Sequence, residues 1–416
     1  MSKEPTRFKQ TEIGELPEEW EVVRLEDVAR VFSGSSAPQG REYFENGIFP
    51  FVRVQDLARY GQTRCLTEVT DKVNERAVQE HHMVLARKGT ILFPKSGAAL
   101  EKNHRAILGI DAYIVSHLAA VEANPEKVDN EFLFWWLCRI DMASLNPNPG
   151  YPSIRLEEIK NLTIPLPPLE EQKRIAGVLR LVDRVAEETR RIVDIYERAK
   201  RFALKRLLTR GIGHTRFKQT EIGELPEGWE VKKLGEIATI KQGGRLGLTK
   251  KDYVSEGYPA FSAMGQDGYV SVYEYEGEAI ILSSIGAQCG KCFYATGKWT
   301  TLANTQIIFV NPEIANTLFI FYQVNRPNFW MRLGSAQPFI RPSDVKNAKV
   351  IIPPLEEQKQ IAEMLCIIDA AIENERRYLG VLEKCKRWLL DNLLTGKIRL
   401  SPEVDEILKG VLPDAF

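Results

Sequence analysis

The sequence predicts an α+β protein in which two pseudo-symmetric globular domains are separated by a pair of long antiparallel, coiled-coil-like helices. Two observations support this prediction: the 416-residue chain contains one unit twice, and each copy ends in a long helical stretch. A chain of this length has room for roughly two to four domains with separate cores. The predicted segments are a first domain (1–166), a first spacer helix (167–213), a second domain (214–352), a second spacer helix (353–398) and a C-terminal tail (399–416).

Two short stretches are almost copied between the repeats. Residues 7–25 are RFKQTEIGELPEEWEVVRL and residues 216–234 are RFKQTEIGELPEGWEVKKL, so 16 of 19 positions agree at an offset of 209. The heptapeptide PPLEEQK occurs at residues 167–173 and again at 353–359, at an offset of 186. A repeat of this length and order indicates one folding unit that has been duplicated.

Fainter matches place an insertion in the first copy. Gly97 matches Gly286 at an offset of 189, so some twenty extra residues should lie between Leu25 and Gly97. The interiors, residues 26–150 and 235–336, share little else. This divergence is consistent with free drift after duplication, or with a common scaffold whose interiors bind different targets.

Each copy ends in a predicted amphipathic helix. Double prolines at 167–168 and 353–354 precede the helices, where a missing N–H costs little, and Gly211 and Gly396 follow the last turns. Forty residues would form a rod of roughly 60 Å. Apolar residues recur at heptad spacing, at Ile175, Val178, Val182, Val185, Ile192 and Tyr196 in the first helix and at Ile361, Leu365, Ile368, Ile372, Leu379 and Leu382 in the second.

An apolar stripe of this length needs a partner helix. The two helices would pack most simply against each other. Antiparallel packing would place one domain at each end of the rod, so that the direct repeat in sequence becomes a pseudo-two-fold axis in space.

The domain interiors alternate strand-like and helix-like runs, which is typical of α+β folds. Strands are expected at residues 50–54, 90–93 and 114–121 of the first domain and at 279–282 and 305–310 of the second. Buried helices are expected at residues 132–138 and 318–324.

Loops beside these strands carry side chains suited to nucleic acid. Arg and Lys match phosphate and guanine, whereas Asn and Gln match adenine. The candidates of the first domain are Lys95, Ser96, Lys102, Asn103 and Arg105. Those of the second domain are Lys241, Gln242, Arg245 and Lys250 in one loop, and Gln288, Lys291 and Lys298 in the region equivalent to the first-domain loop. Ordinary solvation of surface loops also accounts for such residues.

The sequence contains no recognisable catalytic or metal-binding pattern. The five histidines do not form an HExxH motif, and residues 243–247 lack the signature of a P-loop. Cys289 and Cys292 form a CxxC without a second pair, which favours two buried thiols over a metal site. Residues 146–149 resemble the Asn-Pro-Pro-aromatic motif of amino-methyltransferases, but Asn148 interrupts it, so a loop is expected.

Composition predicts a cytoplasmic protein with no membrane partner. No apolar run approaches the ~18 residues of a membrane span, and the N-terminal residues are polar. The six cysteines are sparse and irregularly spaced, as expected for free thiols. The net charge of zero excludes a uniformly basic surface but allows local basic patches.

With the leading segments TEIGELPE-x-WE and the two PPLEEQK helix starts, the chain resembles the specificity subunits of type I restriction–modification systems. The resemblance covers nearly the whole chain, in the order recognition domain, helix, recognition domain, helix. The helix-start motif spans residues 164–173 in the first copy and 351–359 in the second, which looks one residue shorter.

This resemblance implies a non-catalytic subunit in which each domain binds one half of a split, asymmetric sequence in double-stranded DNA. The helices would set the gap between the half-sites and dock two methyltransferase subunits. S-adenosylmethionine, ATP and Mg would then be used by partner subunits, namely the methyltransferases and motor–nuclease subunits, with no cofactor in this chain.

Two other classes of function remain open at this stage. A protein–protein adaptor would bind partners through its domains without shifting the mobility of DNA. A self-sufficient methyltransferase or nuclease would bind S-adenosylmethionine or cleave DNA by itself, which the absent motifs disfavour. The sequence leaves the target bases and the length of the gap undetermined.

Overall fold

The computed structural model describes residues 7–59, 64–146, 152–334 and 336–412. The chain forms two compact units: unit 1 comprises residues 1–191 and 376–416, and unit 2 comprises residues 192–375. Each unit therefore contains one globular head, the start of the long helix that follows this head, and the end of the other long helix. The loop expected at residues 146–149 lies, beyond Asn146, outside the described residues.

In each unit the copied leading segment folds as an antiparallel β-hairpin. Its strands are Phe8–Thr11 and Gly14–Pro17 in unit 1 and Phe217–Thr220 and Gly223–Pro226 in unit 2. Gly14 and Gly223 have φ angles of +112° and +115°, which other residues rarely adopt, so the glycine of the motif is required by the turn.

Each hairpin is followed by a fully buried tryptophan that contacts the start of a long helix. Trp20 Nε1 donates to Glu171 Oε2 at 3.2 Å in unit 1, and Trp229 Nε1 donates to Glu357 Oε2 at 3.0 Å in unit 2. These glutamates are the second acid of each PPLEEQK motif. The two copied stretches are therefore the two sides of one contact.

A glycine from the end of the other long helix completes this contact in each unit. A Cβ on Gly396 would lie 2.4 Å from Pro17 Cγ and 3.2 Å from Trp20 Cζ2. A Cβ on Gly211 would lie 2.6 Å from Trp229 Cζ2. Both glycines also have positive φ angles, as C-terminal helix stops require.

The glutamine of each PPLEEQK motif ties the helix start to its head. In unit 1 Gln172 Nε2 donates to the Pro167 carbonyl at 2.8 Å, and its Oε1 accepts from the Asp129 amide at 2.7 Å. In unit 2 Gln358 makes the same bonds, to Pro353 at 2.8 Å and from Asn316 at 2.8 Å. Both glutamines are buried, and the bonds satisfy backbone groups that would otherwise be unpaired there.

The head of unit 1 contains a five-stranded and a four-stranded sheet packed around buried aliphatic and aromatic residues, and a two-stranded pair formed by Glu21–Arg24 and Thr163–Leu166. After the hairpin, its strands are Glu21–Arg24, Ala29–Ser33, Phe49–Val52, Cys65–Leu66, Asp71–Val73, Leu85–Ala86, Ile91–Pro94, Ala106–Leu108, Ala112–Ile114, Leu118–Ala123 and Thr163–Leu166. Its short helices are Leu25–Val28, Val54–Arg59, Glu75–Glu80, Asn130–Arg139 and Leu156–Lys160, with 3-10 turns at Arg41–Tyr43 and Met142–Leu145.

The head of unit 2 repeats this plan. After the hairpin, its strands are Glu230–Lys233, Ala238–Gln242, Tyr258–Ser262, Gly265–Val270, Tyr275–Glu276, Ala279–Ser283, Cys292–Ala295, Lys298–Thr301, Thr305–Val310 and Lys349–Ile352. Its short helices are Leu234–Ile237, Thr317–Val324 and Pro342–Asn347, with a 3-10 turn at Lys250–Asp252.

The main sheets of the two heads have the same strand order. In unit 1 the order is Ala29–Ser33, Leu118–Ala123, Ile91–Pro94, Ala106–Leu108, with Cys65–Leu66 added at the edge. In unit 2 it is Ala238–Gln242, Thr305–Val310, Ala279–Ser283, Cys292–Ala295. The predicted α+β class and the pseudo-symmetry of the heads are thus confirmed.

The predicted insertion lies in the second sheet of the first head. The connection between Phe49–Val52 and Leu85–Ala86 has 32 residues, whereas the equivalent connection between Tyr258–Ser262 and Tyr275–Glu276 has 12. The longer connection contains two helices and the edge strand Cys65–Leu66. This difference of twenty residues accounts for the change in sequence offset.

The two long helices, Leu169–Arg210 and Leu355–Leu393, run antiparallel within each unit. In unit 1 Lys386 pairs with Asp183, and Arg190 Nη2 lies 3.0 Å from Glu383 Oε1. In unit 2 Lys200 pairs with Asp369. A third helix, Val404–Val411, packs on the first long helix, where Arg174 Nε lies 2.8 Å from Asp405 Oδ1.

Two details of the sequence-based prediction were wrong. The strand expected at residues 114–121 is two strands, Ala112–Ile114 and Leu118–Ala123, which belong to different sheets. The second helix-start motif is not shorter than the first, because Val350 pairs with Lys232 as Ile164 pairs with Val23. Among the described residues, no helix is long and apolar enough to cross a membrane.

Candidate nucleic-acid interface

One edge of the main sheet in the first head gathers four loops, which we call the first loop edge: residues 34–40, 95–105, 115–117 and 152–155. The strands alternate in direction, so the end of Ala29–Ser33, the start of Leu118–Ala123 and the end of Ile91–Pro94 meet there. Backbone bonds join these loops, from Lys95 N to His117 O at 2.9 Å and from Ile154 N to Lys95 O at 2.8 Å.

The second head has the equivalent arrangement, the second loop edge: residues 243–251, 284–291, 302–305, 332–334 and 336–341. Gly243 N donates to Thr305 O at 3.0 Å, Ser284 N donates to Asn304 O at 3.0 Å, and Gly286 N donates to Pro338 O at 2.9 Å. The same strand ends therefore present different loop sequences in the two heads.

Glycines let the first loop of each edge pass very close to a neighbouring strand. A Cβ on Gly34 would lie 1.9 Å from Ile114 O, and one on the equivalent Gly243 would lie 2.0 Å from Thr305 Oγ1. Only glycine allows such an approach. Because the anchor is shared, the residues beyond it vary without moving the base of the loop.

The structure divides the candidates of the first head between surface and interior. Lys95 is half-buried and Lys102 is exposed. Ser96 is buried, and its Oγ lies 2.6 Å from His117 Nδ1. Asn103 and Arg105 bond to each other and to the Ile140 carbonyl, and Arg105 is only 8% exposed. Ser96, Asn103 and Arg105 therefore shape the loop that carries Lys102.

In the second head the loop edge brings Arg245 and Gln288 to the same end of the main sheet. Lys241 and Gln242 end the strand before Gly243, and Lys241 Nζ lies 5.1 Å from the centre of the Phe309 ring. Arg245 is exposed, with its Nε 3.8 Å from Glu274 Oε1. Lys241, Gln242 and Arg245 are exposed and Gln288 is half-buried, so these side chains line the surface around the glycine-anchored loop.

The other candidates of the second head differ in position: Lys250 is paired, Lys291 ends the loop that contains Gln288, and Lys298 lies apart from the second loop edge. Lys250 Nζ lies 2.6 Å from Asp267 Oδ2. Lys291 is exposed just before the strand Cys292–Ala295. Lys298 begins the strand that ends at Thr301 near Gly244, so it lies at the far end of that strand, 4.8 Å from the Tyr273 ring centre.

Sequence reasoning missed several loops of the edges, two of which are long. In the second head, a bridge between Leu333 and Phe339 closes the loop that follows Met331, which is 76% exposed. In the first head, residues 34–40 occupy the place of the Arg245 loop. The loop at residues 34–40 could have been found from the sequence, because the offset of 209 aligns Gly34 with Gly243.

The cysteine pair of the second head is part of its core. Cys289 and Cys292 are buried, and their thiols lie 3.5 and 3.8 Å from the Ser284 and Val324 carbonyl oxygens. Burial raises the pKa of Cys292 to about 12, so the thiol stays protonated at neutral pH. Within the described part of the chain, no cluster of His, Cys, Asp or Glu has the arrangement of a metal site.

The fold and the loop edges define a class of molecule: a duplicated α+β head, presenting variable loops on a constant scaffold, with long antiparallel helices. The profile of the type I restriction modification DNA specificity domain matches residues 17–195 and 226–384. The chain therefore belongs to the family of type I restriction–modification DNA specificity proteins.

Similar proteins match this chain over most of their length and of its own. The type I restriction enzyme MjaVIII specificity subunit of Methanocaldococcus jannaschii is 29% identical over 425 residues, covering 94% of this chain and 96% of the relative. The type I restriction enzyme EcoprrI specificity subunit of Escherichia coli is 25% identical, covering 83% and 86%. The crystal structure of a type I restriction-modification S subunit from M. genitalium has the same fold, with a TM-score of 0.63, 16% identity, and coverage of 90% and 96%.

Proposed function

We propose that this chain is the non-catalytic subunit that selects the DNA sequence for a type I restriction–modification complex, with each head binding one half of a split, asymmetric target. The observation that supports this most directly is that two heads of identical strand order carry unlike loops on equivalent glycine anchors. Two different reading surfaces on one scaffold suit two different half-sites.

The loop residues have the chemistry that such a role needs. Arg245 and Gln288 supply donors and acceptors for base edges, and the exposed lysines supply charge for phosphates. Exposed apolar side chains such as Met331 suit contact with thymine methyl groups. The neutral chain as a whole then relies on these local patches for affinity.

In this proposal the long helices set the gap between half-sites and dock two methyltransferase subunits. Large apolar side chains are exposed along both helices: Ile195 (61%), Phe202 (66%), Ile367 (63%), Val381 (57%) and Trp388 (55%). A protein seldom leaves so many apolar groups in water without a partner. The methyltransferases would use S-adenosylmethionine, the motor–nuclease subunits would use ATP and Mg, and the whole complex would act in the cytoplasm.

Binding to defined DNA tests this function. The chain, assembled with its methyltransferase, is expected to bind one split sequence at least ~10³-fold more tightly than random duplex at physiological salt. Mapping methylated bases in the host genome supplies the candidate sequence, since a split motif with a fixed gap gives both half-sites. Equal affinity for all sequences across a salt series would refute the proposal, and capture of proteins without any DNA mobility shift would favour an adaptor instead.

A further inference from the structure

A cavity of about 360 Å³ in unit 1 lies beside the loop that contains Lys102 and Arg105. Arg64 and Lys386 complete a set of four cationic side chains in its lining, where Asp183 is the one carboxylate among the described residues. Lys386 pairs with Asp183, and Arg64 pairs with Glu131 just outside the cavity. The positive charges of Lys102 and Arg105 therefore remain without a carboxylate partner among the described residues.

Arg105 is a buried cation that makes no direct ion pair with a carboxylate among the described residues. Its Nη1 donates to Asn103 O at 2.8 Å and its Nη2 donates to Asn103 Oδ1 at 3.0 Å and to Ile140 O. All these acceptors are uncharged, and burial lowers the pKa of the guanidinium. Burial lowers this pKa more than the nearby Asp141 carboxylate raises it, so the charge is only partly compensated, and an anion in the cavity would stabilise it further.

The loop holds Arg105 in place through a strained residue. Asn103 has a φ of +55°, and its side-chain Oδ1 accepts from Met142 N at 3.2 Å while its Nδ2 donates to Ile140 O at 3.3 Å. A non-glycine residue in this region persists only where its surroundings fix it. The guanidinium is thereby positioned before any ligand arrives.

Two buried donors in the cavity lining have no acceptor among the described residues. They are Arg105 Nε and Trp135 Nε1, and Trp135 is only 2% exposed. A buried N–H without an acceptor is unfavourable, because it has lost its hydrogen bond to water. Lys386 Nζ lies 4.7 Å from the centre of the Trp135 ring, so one positive charge lies against this side chain.

We propose that this cavity binds a phosphate group, with Lys102 and Arg105 supplying charge and the orphaned N–H groups receiving their acceptors. A tetrahedral oxyanion offers several acceptors at once and matches a guanidinium well. The group could belong to a DNA backbone or to a free phosphate. Only the DNA source rests on the function proposed above.

The first test uses inorganic phosphate and the full chain. Phosphorus NMR titration is expected to show saturable binding that Lys102→Ala weakens about tenfold, the loss of one charge-assisted contact. Lys72→Ala, which removes an exposed lysine of unit 1 away from the cavity, leaves this binding unchanged. Arg105→Gln is expected to abolish phosphate binding. If this variant does not fold because its side chain is buried, the exposed Lys102→Ala change still tests the proposal.

The second test separates the two sources. In the complex with methyltransferase, Lys102→Ala is expected to lower the slope of log affinity against log salt by about 0.9 if a DNA phosphate occupies the cavity. An unchanged slope with phosphate binding retained assigns the site to a free anion. Absence of both effects overturns the proposal. Should the complex bind no DNA at all, the phosphate titration still decides about the cavity, because it does not depend on DNA recognition.

Discussion

At the level of single residues, Glu171 and Glu357 explain why two short stretches of the sequence are almost copied. Each accepts from a buried tryptophan, and each also bonds to a group at the end of the other long helix. That group is Arg399 in unit 1, whose Nη2 lies 2.7 Å from Glu171 Oε2, and His214 in unit 2, whose Nε2 lies 2.8 Å from Glu357 Oε1. Both copies keep the glutamate and the tryptophan, whereas the second side chain that bonds to the glutamate differs.

Replacing this glutamate should destabilise one unit. In Glu171→Gln, Trp20 and Arg399 lose a charged acceptor in a buried place, and we expect unit 1 to lose about 2 kcal/mol of its free energy of unfolding. Glu170→Gln changes an exposed neighbour that pairs with Lys173, so its effect should stay within about 0.5 kcal/mol. Chemical unfolding followed by tryptophan fluorescence measures both, and equal values would contradict the buried-contact account.

Asp267 should make unit 2 sensitive to acid. Although burial acts to raise its pKa, hydrogen bonds from Lys250, Tyr253 and Ser262 outweigh this and hold the pKa below the ordinary 3.8. Because the folded pKa is the lower one, the stabilisation is complete above about pH 5 and is lost as the pH falls below 3.8 and through the folded pKa.

The matching experiment compares Asp267→Asn with the native chain over pH 2.5–7. The variant is expected to be less stable near neutrality and to converge with the native protein in acid, as urea midpoints would show. Glu256→Gln, at an exposed site in the same head, serves as the control and should track the native curve. A difference that persists unchanged at pH 2.5 would exclude the charge of Asp267 as the cause.

At the level of elements, the sequence predicted most of the inner strands and both buried head helices, because these are continuous apolar runs. The strand Ile91–Pro94 and the helix Asn130–Arg139 overlap their predicted ranges. The run at 114–121 was misjudged because a turn after Ile114 moves the chain from one sheet to the other without a Gly or Pro to mark it. Hydrophobicity indicates burial, but it does not say which sheet buries a strand.

The loop edges depend on a glycine at each anchor. Gly34→Ala places a Cβ 1.9 Å from a backbone oxygen of Ile114, so the loop or the strand must move, and we expect a loss of about 2–3 kcal/mol in unit 1. Gly228→Ala meets no atom within 4 Å and should be neutral or slightly stabilising, since the other copy carries Glu19 there.

Hydrogen exchange locates the effect of the anchor change. Amides of Ala112–Ile114 should exchange faster in Gly34→Ala and at native rates in Gly228→Ala. Native protection in both variants would show that the close approach of Gly34 is not required.

At the level of the whole molecule, the proposed spacing role of the long helices predicts how the target changes with helix length. The test deletes one heptad from each long helix between the Asp183–Lys386 pair and the Lys200–Asp369 pair, at matching positions so that the facing residues stay paired. Seven residues shorten a helix by about 10 Å, or about three base pairs of DNA. The half-sites should stay the same while the gap between them shortens, as methylation mapping would show; an unchanged gap contradicts the spacing role.

Some features of the candidate binding residues could be predicted from the sequence, and others could not. Lys102, Arg245 and Gln288 could be proposed from residue type and position beside a strand. The sequence could not show that Arg105 is buried against Ile140, or that residues 336–341 join the second loop edge. Both depend on contacts between segments far apart in the chain.

By itself the sequence determined the duplication, the helical stretches after the double prolines, the family and the size of the insertion, because these are properties of order, spacing and local periodicity. The tertiary structure alone decided which long helix completes which unit, since Gly396 contacts Trp20 across more than three hundred residues. It also decided which polar side chains face outward at the loop edges. Those choices come from packing and from the pairing of buried polar groups, and both are set by neighbours in space rather than in sequence.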